Sequence, residues 1–168
     1  MIRPRLPALA IAIGATMLVA GCGDKKSDNS SGASNGQPPA VTGNAGKKPE
    51  IATPTGDPPA KLVAKDVRKG KGKKAADGDR VSVQYVGINW SDGKQFDASW
   101  DRGQPFKFKL GSGQVIPGWD QGVKGMRVGG RRELVVPPDL GYGAQGSPPA
   151  IGPNETLVFV IDLEKVSK

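Results

Sequence analysis

The chain has 168 residues, 36% hydrophobic, 24% charged and 5% aromatic, with a net charge of +8, one Cys and no His. Without His it cannot build a Ser-His-Asp or Cys-His nucleophile or the common zinc centres, and a single Cys excludes an internal disulfide. The length allows one ordinary domain and a further segment, and no metal or cofactor is expected.

The large side chains are unevenly placed. All nine aromatics lie between Tyr85 and Phe159, and residues 61–168 carry 18 basic and 12 acidic residues, a net +6. A core needs large apolar groups, so the folded part is the C-terminal two-thirds. The expected division is a signal segment over 1–21, a linker over 22–60 and a domain over 61–168.

Arg3 and Arg5 precede an apolar run from Leu6 to Ala20. As a helix it would span roughly 22 Å, short of the ~30 Å hydrocarbon core of a bilayer. A basic flank followed by a short apolar run describes a secretory signal. Its end, Val19-Ala20-Gly21-Cys22, resembles the bacterial lipobox. That resemblance implies cleavage just before Cys22, a thioether link from its thiol to diacylglycerol, acylation of its new amine with chains such as palmitate, and a protein anchored on the extracytoplasmic side of the bacterial cell membrane. A plain signal peptide or a single membrane anchor is the alternative. Residues 23–60 are dominated by Ser, Gly, Asn, Pro and Ala, with Val41 and Ile51 almost alone as large aliphatics. Such a stretch buries too little apolar surface to offset its backbone entropy, and a disordered tether is expected.

In chain order, Leu62-Val63-Ala64 with Val67 predicts an edge strand, followed by the basic turn 68–74. Arg80 to Val86 alternates with period two and places Val81, Val83 and Tyr85 on one face. Ser91-Asp92-Gly93 is a turn signal, Phe106 to Leu110 alternates again, and Arg131–Val136 and Thr156–Val166 are further strands. Only Ile116 to Met126 has helical spacing, with Pro117 suited to a first turn and three glycines keeping the helix short. The expected class is α+β: a curved antiparallel sheet, a half-barrel, wrapped around one short α-helix and preceded by the tether.

Two features invite other readings. The basic turn carries no aromatic to stack on bases, so it reads as a solvated loop and no nucleic-acid partner is expected. Gly141-Tyr142-Gly143-Ala144-Gln145-Gly146 matches G-x-G-x-x-G, but Pro137-Pro138 before it and Pro148-Pro149 after it leave no room for the helix that a dinucleotide site requires.

The stretches VSVQYVG (81–87), DGKQFDASWDRGQPFKFKLG (92–111), QVIPGWDQGVKGM (114–126), PPDLGYG (137–143) and TLVFVIDL (156–163) resemble the FKBP-type peptidyl-prolyl isomerases. The resemblance covers about Val63 to Val166. It implies an antiparallel sheet around a short helix and catalysis of rotation about X-Pro bonds in exported proteins, by desolvation and stabilisation of a twisted amide in an apolar pocket. It places Trp119 at the pocket floor and Tyr85, Phe106 and Phe159 in the walls. Val115 and Ile116 fall on the rim, and Phe96 forms a wall beside Asp97, whose carboxylate faces the twisted amide. Arg102 orients that carboxylate, and the Tyr142 hydroxyl donates to a substrate carbonyl. Asp97 and Tyr142 are thus the catalytic candidates, and Ile151 joins the substrate-binding set from the loop after Tyr142. Phe108 reads as core.

The implied partners are proline-containing polypeptides, macrolides of the rapamycin type and, through Cys22, the membrane; the protein is expected to be a monomer. The chain departs from the family pattern at Ser147–Pro153 and at Gln114. A cell-surface proline-recognition or adhesion module without turnover is the competing reading.

Overall fold

The computed structural model describes residues 36–168. The signal segment, the lipidation candidate Cys22 and the first part of the expected tether lie outside these residues. Eight strands and one α-helix follow in chain order: β1 (Val41–Thr42), β2 (Glu50–Ile51), β3 (Val63–Arg68), β4 (Arg80–Asn89), β5 (Gln95–Ala98), β6 (Phe106–Lys109), α1 (Pro117–Val123), β7 (Arg131–Val136) and β8 (Leu157–Ser167). The six longer-range strands form one antiparallel sheet ordered β3-β7-β8-β4-β5. β6 joins the same edge of β4, pairing Arg80–Val83 while β5 pairs Val86–Ile88.

The alternation along β4 sends Val81, Val83 and Tyr85 to the concave side, where they meet Trp119 and Val123 of α1 and Leu134 and Val136 of β7. The helix lies very close to the sheet. A methyl at Gly122 would stand 2.6 Å from the Leu134 side chain, and one at Gly118 would be 2.5 Å from Val136. The glycines that shorten the helix are therefore also what let it sit in the concavity.

The convex side has a second apolar cluster: Val86, Ile88 and Trp90 of the β4 stretch, Ala98, Val135 and Val158. Here the expectation for 22–60 needs correction, because residues 36–60 lie on this side as a strap. Ile51 packs against the cluster, and Trp90 Nε1–H donates to the Gly56 carbonyl at 3.0 Å. The β1–β2 ribbon pairs Val41 with Ile51. Composition alone misled because the strap has few apolar groups of its own. Its order comes from covering the domain's outward apolar face and from satisfying a buried arginine.

That arginine is Arg131, whose side chain is 1% exposed. It grips Asp162 through Nε at 2.9 Å and Nη2 at 2.7 Å. Its remaining donors go to the strap, Nη1–H to the Gly43 carbonyl at 3.1 Å and Nη2–H to the Lys47 carbonyl at 2.7 Å. A planar fork fixed by one carboxylate thus presents its far side to two backbone oxygens. Lys48 Nζ adds an exposed ion pair with Asp101 at 2.6 Å.

Two residues along β7, Glu133 is fully buried with neither carboxylate oxygen hydrogen-bonded. Lys65 Nζ, from paired β3, stands 3.8 Å away. Burial pushes this carboxyl up to about 7, with the Lys65 ammonium pulling it back.

Arg131→Ala leaves Asp162 with only the half-exposed Arg68, whose Nη2 stands 3.3 Å away, and frees the strap. It is expected to cost about 2–3 kcal/mol in chemical denaturation and to open residues 43–56 to proteolysis. Glu133 is raised in the folded state, so its contribution is fully present below its ordinary value of 4.5 and is lost as pH rises through about 7. Glu133→Gln is expected to remove that decline, gaining about 1–3 kcal/mol over the parent above pH 8 and little near pH 5, read from parallel urea melts.

Candidate active site

β4, β5, β6, α1, the loop after β7 and β8 all contribute to a cavity of about 300 Å³ on the concave side. Trp119 is its floor, 4% exposed and surrounded by rings. Tyr85 meets it edge-on with centroids 5.0 Å apart, Phe159 at 5.2 Å and Phe106 at 6.1 Å. Edge-to-face contacts of this kind stabilise beyond area burial and fix ring orientation. The position of Trp119 follows from α1: between the two close-packed glycines, its ring points along the sheet toward the open end.

Phe96 reaches the wall because residue 87 has no side chain. A Cβ at Gly87 would lie 2.6 Å from the Phe96 ring and 2.9 Å from Phe159, and those rings instead meet edge-on at 5.5 Å. The sequence reading gave Gly87 no role, although it stands within the VSVQYVG stretch.

Val115 and Ile116 line the rim just before the helix. The loop that carries them is tied down by Asp120, which accepts from the Gly111 N–H at 2.8 Å and the Gly113 N–H at 3.1 Å. Gln114 also lines the cavity, with its Oε1 accepting from the Lys109 N–H at 2.9 Å. Phe106 and Tyr142 are the exposed members, at 37% and 42%. The Tyr142 hydroxyl has no hydrogen bond among the described residues, and burial, then the Asp97 charge, push its phenol above the ordinary value.

One charged group enters the apolar lining. Asp97 on β5 accepts from the Tyr85 hydroxyl through Oδ2 and from Arg102 Nη1 through Oδ1. Arg102 also donates from Nη2 to the Tyr85 oxygen at 2.8 Å and lies 5.6 Å from the centre of its ring. Burial, with the Asp97 hydrogen bond next, pushes the Tyr85 phenol up to about 12, opposed by Arg102, so it remains a donor through the neutral range. Tyr85 was expected only as an apolar wall; the structure makes it a hydrogen-bonding partner of the carboxylate as well. Ser99 anchors this corner, its hydroxyl accepting from the Tyr85 N–H at 2.8 Å and donating to Gln84 Oε1 at 2.5 Å.

The structure thus brings together Tyr85, Phe96, Asp97, Phe106, Val115, Ile116, Trp119, Tyr142 and Phe159 around one cavity. Arg102 stands behind Asp97 rather than on the lining. Ile151 is not among the residues lining this cavity; it is 4% exposed, packs in the same core cluster as Trp119 and exchanges two backbone hydrogen bonds with Ser147, at 2.9 and 3.0 Å, which fold the 147–151 loop back on itself. Phe108, read as core, is 4% exposed and lies 5.7 Å from Trp119. The G-x-G-x-x-G stretch over 141–146 forms turns, with no helix after it.

Comparison with known proteins agrees with this arrangement. The family model for FKBP-type peptidyl-prolyl cis-trans isomerases matches residues 71–164. An FK506-binding protein of Streptomyces anulatus is 56% identical over 121 residues, covering 71% of this chain and 98% of its own. One from Neisseria meningitidis serogroup B is 46% identical over 106 residues, covering 62% and 95%. Among solved structures, AtFKBP13 superposes with a TM-score of 0.59 at 37% identity, over 63% of this chain and 93% of its own. FkpA from Escherichia coli gives 0.58 at 46% identity over 63% of this chain and 48% of its own, so the match spans about half of that protein. With the family match extending over more than half its length, the chain belongs to the FKBP-type peptidyl-prolyl cis-trans isomerases.

Proposed function

We propose that this isomerase acts on X-Pro bonds of exported proteins while anchored to the membrane through lipid on Cys22. The observation that carries the catalytic part is an aromatic cavity floored by Trp119 and entered by a single carboxylate, Asp97, already held by Tyr85 and Arg102.

Rotation about an X-Pro bond breaks no covalent bond but must cross a barrier near ~18–20 kcal/mol set by amide resonance. At the twisted geometry resonance is lost, the carbonyl is less polar and the nitrogen becomes pyramidal. An apolar, water-poor cavity favours that state over the planar amide, which water solvates better. Removing about 5 kcal/mol gives several thousand-fold acceleration. Proton transfer has no part in this, in keeping with a carboxylate occupied by two donors and a phenol that stays protonated.

In this reading Trp119 supports the proline ring and Phe106 and Phe159 exclude water. Asp97 faces the carbon of the twisted amide, its orientation fixed in advance so that no reorganisation is needed during rotation. Arg102 and Tyr85 are positioning residues, and Tyr142, with its hydroxyl at the rim, donates to a substrate carbonyl. The loop over Ser147–Pro153 departs from the family pattern, so a rapamycin-type macrolide is expected to bind through the floor and walls with reduced affinity. Slow X-Pro steps last tens to hundreds of seconds uncatalysed, which gives an enzyme near the export site a clear use.

Asp97→Leu is expected to lower kcat/KM about 10- to 100-fold, and Tyr85→Phe and Tyr142→Phe several-fold each, with unchanged circular dichroism. The check is exchange-NMR turnover of one short X-Pro peptide, with binding measured separately by tryptophan fluorescence. A parent protein that binds the peptide without accelerating it would make the domain a proline-recognition module. For the anchor, Cys22→Ala is expected to abolish incorporation of labelled palmitate and release the protein from the membrane fraction; label persisting in the variant refutes the assignment.

A further inference from the structure

At the end of the sheet where β4 begins and β6 and β8 finish, a second cavity of about 270 Å³ opens beside the first. Its charged lining is entirely basic: Arg80, Lys107, Lys109 and Lys165. The strand register explains the cluster. Ser82 lies opposite Lys107 on one side and Lys165 on the other, and Arg80 lies opposite Lys109 and Ser167. Four cations therefore flank two successive rungs of three adjacent strands. Among the described residues none of the four forms an ion pair, although other lysines and arginines of the domain do. Four exposed cations on three adjacent strands, with no acid in the lining, attract an anion.

The groove meets the active site at Gln114, which lines both cavities; Lys107 alternates with Phe106 along β6 and points to the other face, so the groove lies around the β6 edge from the active cavity. A polypeptide whose proline rests on Trp119 must continue in both directions, extending about 3.3 Å per residue. A segment leaving over Gln114 and turning around the β6 edge meets the basic groove. The neutral groups there, Ser82, Ser167 and the Gln114 amide, are hydrogen-bond donors suited to carboxylates.

We propose that this groove is a charge-selective subsite of the enzyme, receiving Asp or Glu side chains of the substrate a few residues from the reacting proline. The proposal rests on the isomerase reading of the adjoining cavity. An anionic membrane surface is the rival ligand, for which the exposed lysines of the 68–74 loop are a further source of positive charge.

The test uses the full-length chain and three peptides sharing one X-Pro centre: neutral flanks, an Asp-Glu pair placed before or after the proline, and a Lys-Lys pair in the same places. Turnover is read by exchange NMR and affinity by fluorescence anisotropy. One of the acidic placements is expected to raise kcat/KM about fivefold or more over the neutral peptide, mainly through KM, with the gain shrinking as salt screens it. Combined Lys107→Glu and Lys165→Glu should abolish the gain and leave the neutral peptide unchanged. Lys107→Gln with Lys165→Gln serves the same purpose should charge reversal unfold the sheet end. Equal handling of acidic and neutral peptides by the parent, or a preference that survives both double variants, overturns the proposal. So does capture by phosphatidylglycerol vesicles that is lost in the variants while no peptide preference exists. If the neutral peptide is not accelerated at all, the isomerase reading fails instead, and the groove stands or falls on the anisotropy comparison alone.

Discussion

The distance between α1 and β7 governs much else in this domain. A seven-residue helix can fill a curved sheet only by lying almost on its backbone, and Gly118 and Gly122 permit that contact against Val136 and Leu134. With the helix axis fixed there, Trp119 falls between helix and sheet at the open end, within reach of Tyr85, Phe106 and Phe159. The cavity is therefore the part of the concavity that a short helix leaves unfilled. A longer or thicker helix would close it, and a looser one would let the indole tilt and admit water.

The polar chemistry is confined to one corner. β4 is paired by β5 beyond Val86, so Asp97 arrives beside Tyr85 with Ser99 locking the backbone between them. The following 3-10 turn, Ser99–Arg102, brings Arg102 back over both. Three consecutive structural decisions, an edge strand, a hydroxyl anchor and a tight turn, thus deliver a carboxylate whose oxygens are both engaged.

Much of this was readable from residues alone. The alternation in Arg80–Val86, the apolar run of β8 and the Pro117 start of α1 are local signals, and the structure follows them. The cavity residues were found through the family resemblance, because ring clusters look like ordinary core by composition. What escaped was non-local. β5 is four residues long and depends on pairing with β4. Gly87 matters only through two rings brought to it by other strands. The strap shows the same thing most clearly, since residues 36–60 contain little to predict order, and what orders them is written in Val86, Ile88, Trp90 and Arg131.

The strap also has a temporal side. It is made before the rest of the domain, yet Gly43 and Lys47 wait for Arg131, which lies 88 and 84 residues further on, and Arg131 is in turn gripped by Asp162, near the end of the chain. Contacts of such sequence separation close late, because loop entropy must be overcome before they give anything back. A chain made from its N-terminus cannot complete the contacts of its strap with Arg131 and Asp162 until β8 has been made. The domain has, in effect, a clasp early in its sequence that can be fastened only from the end, by the same strand whose Phe159 walls the cavity on the opposite face.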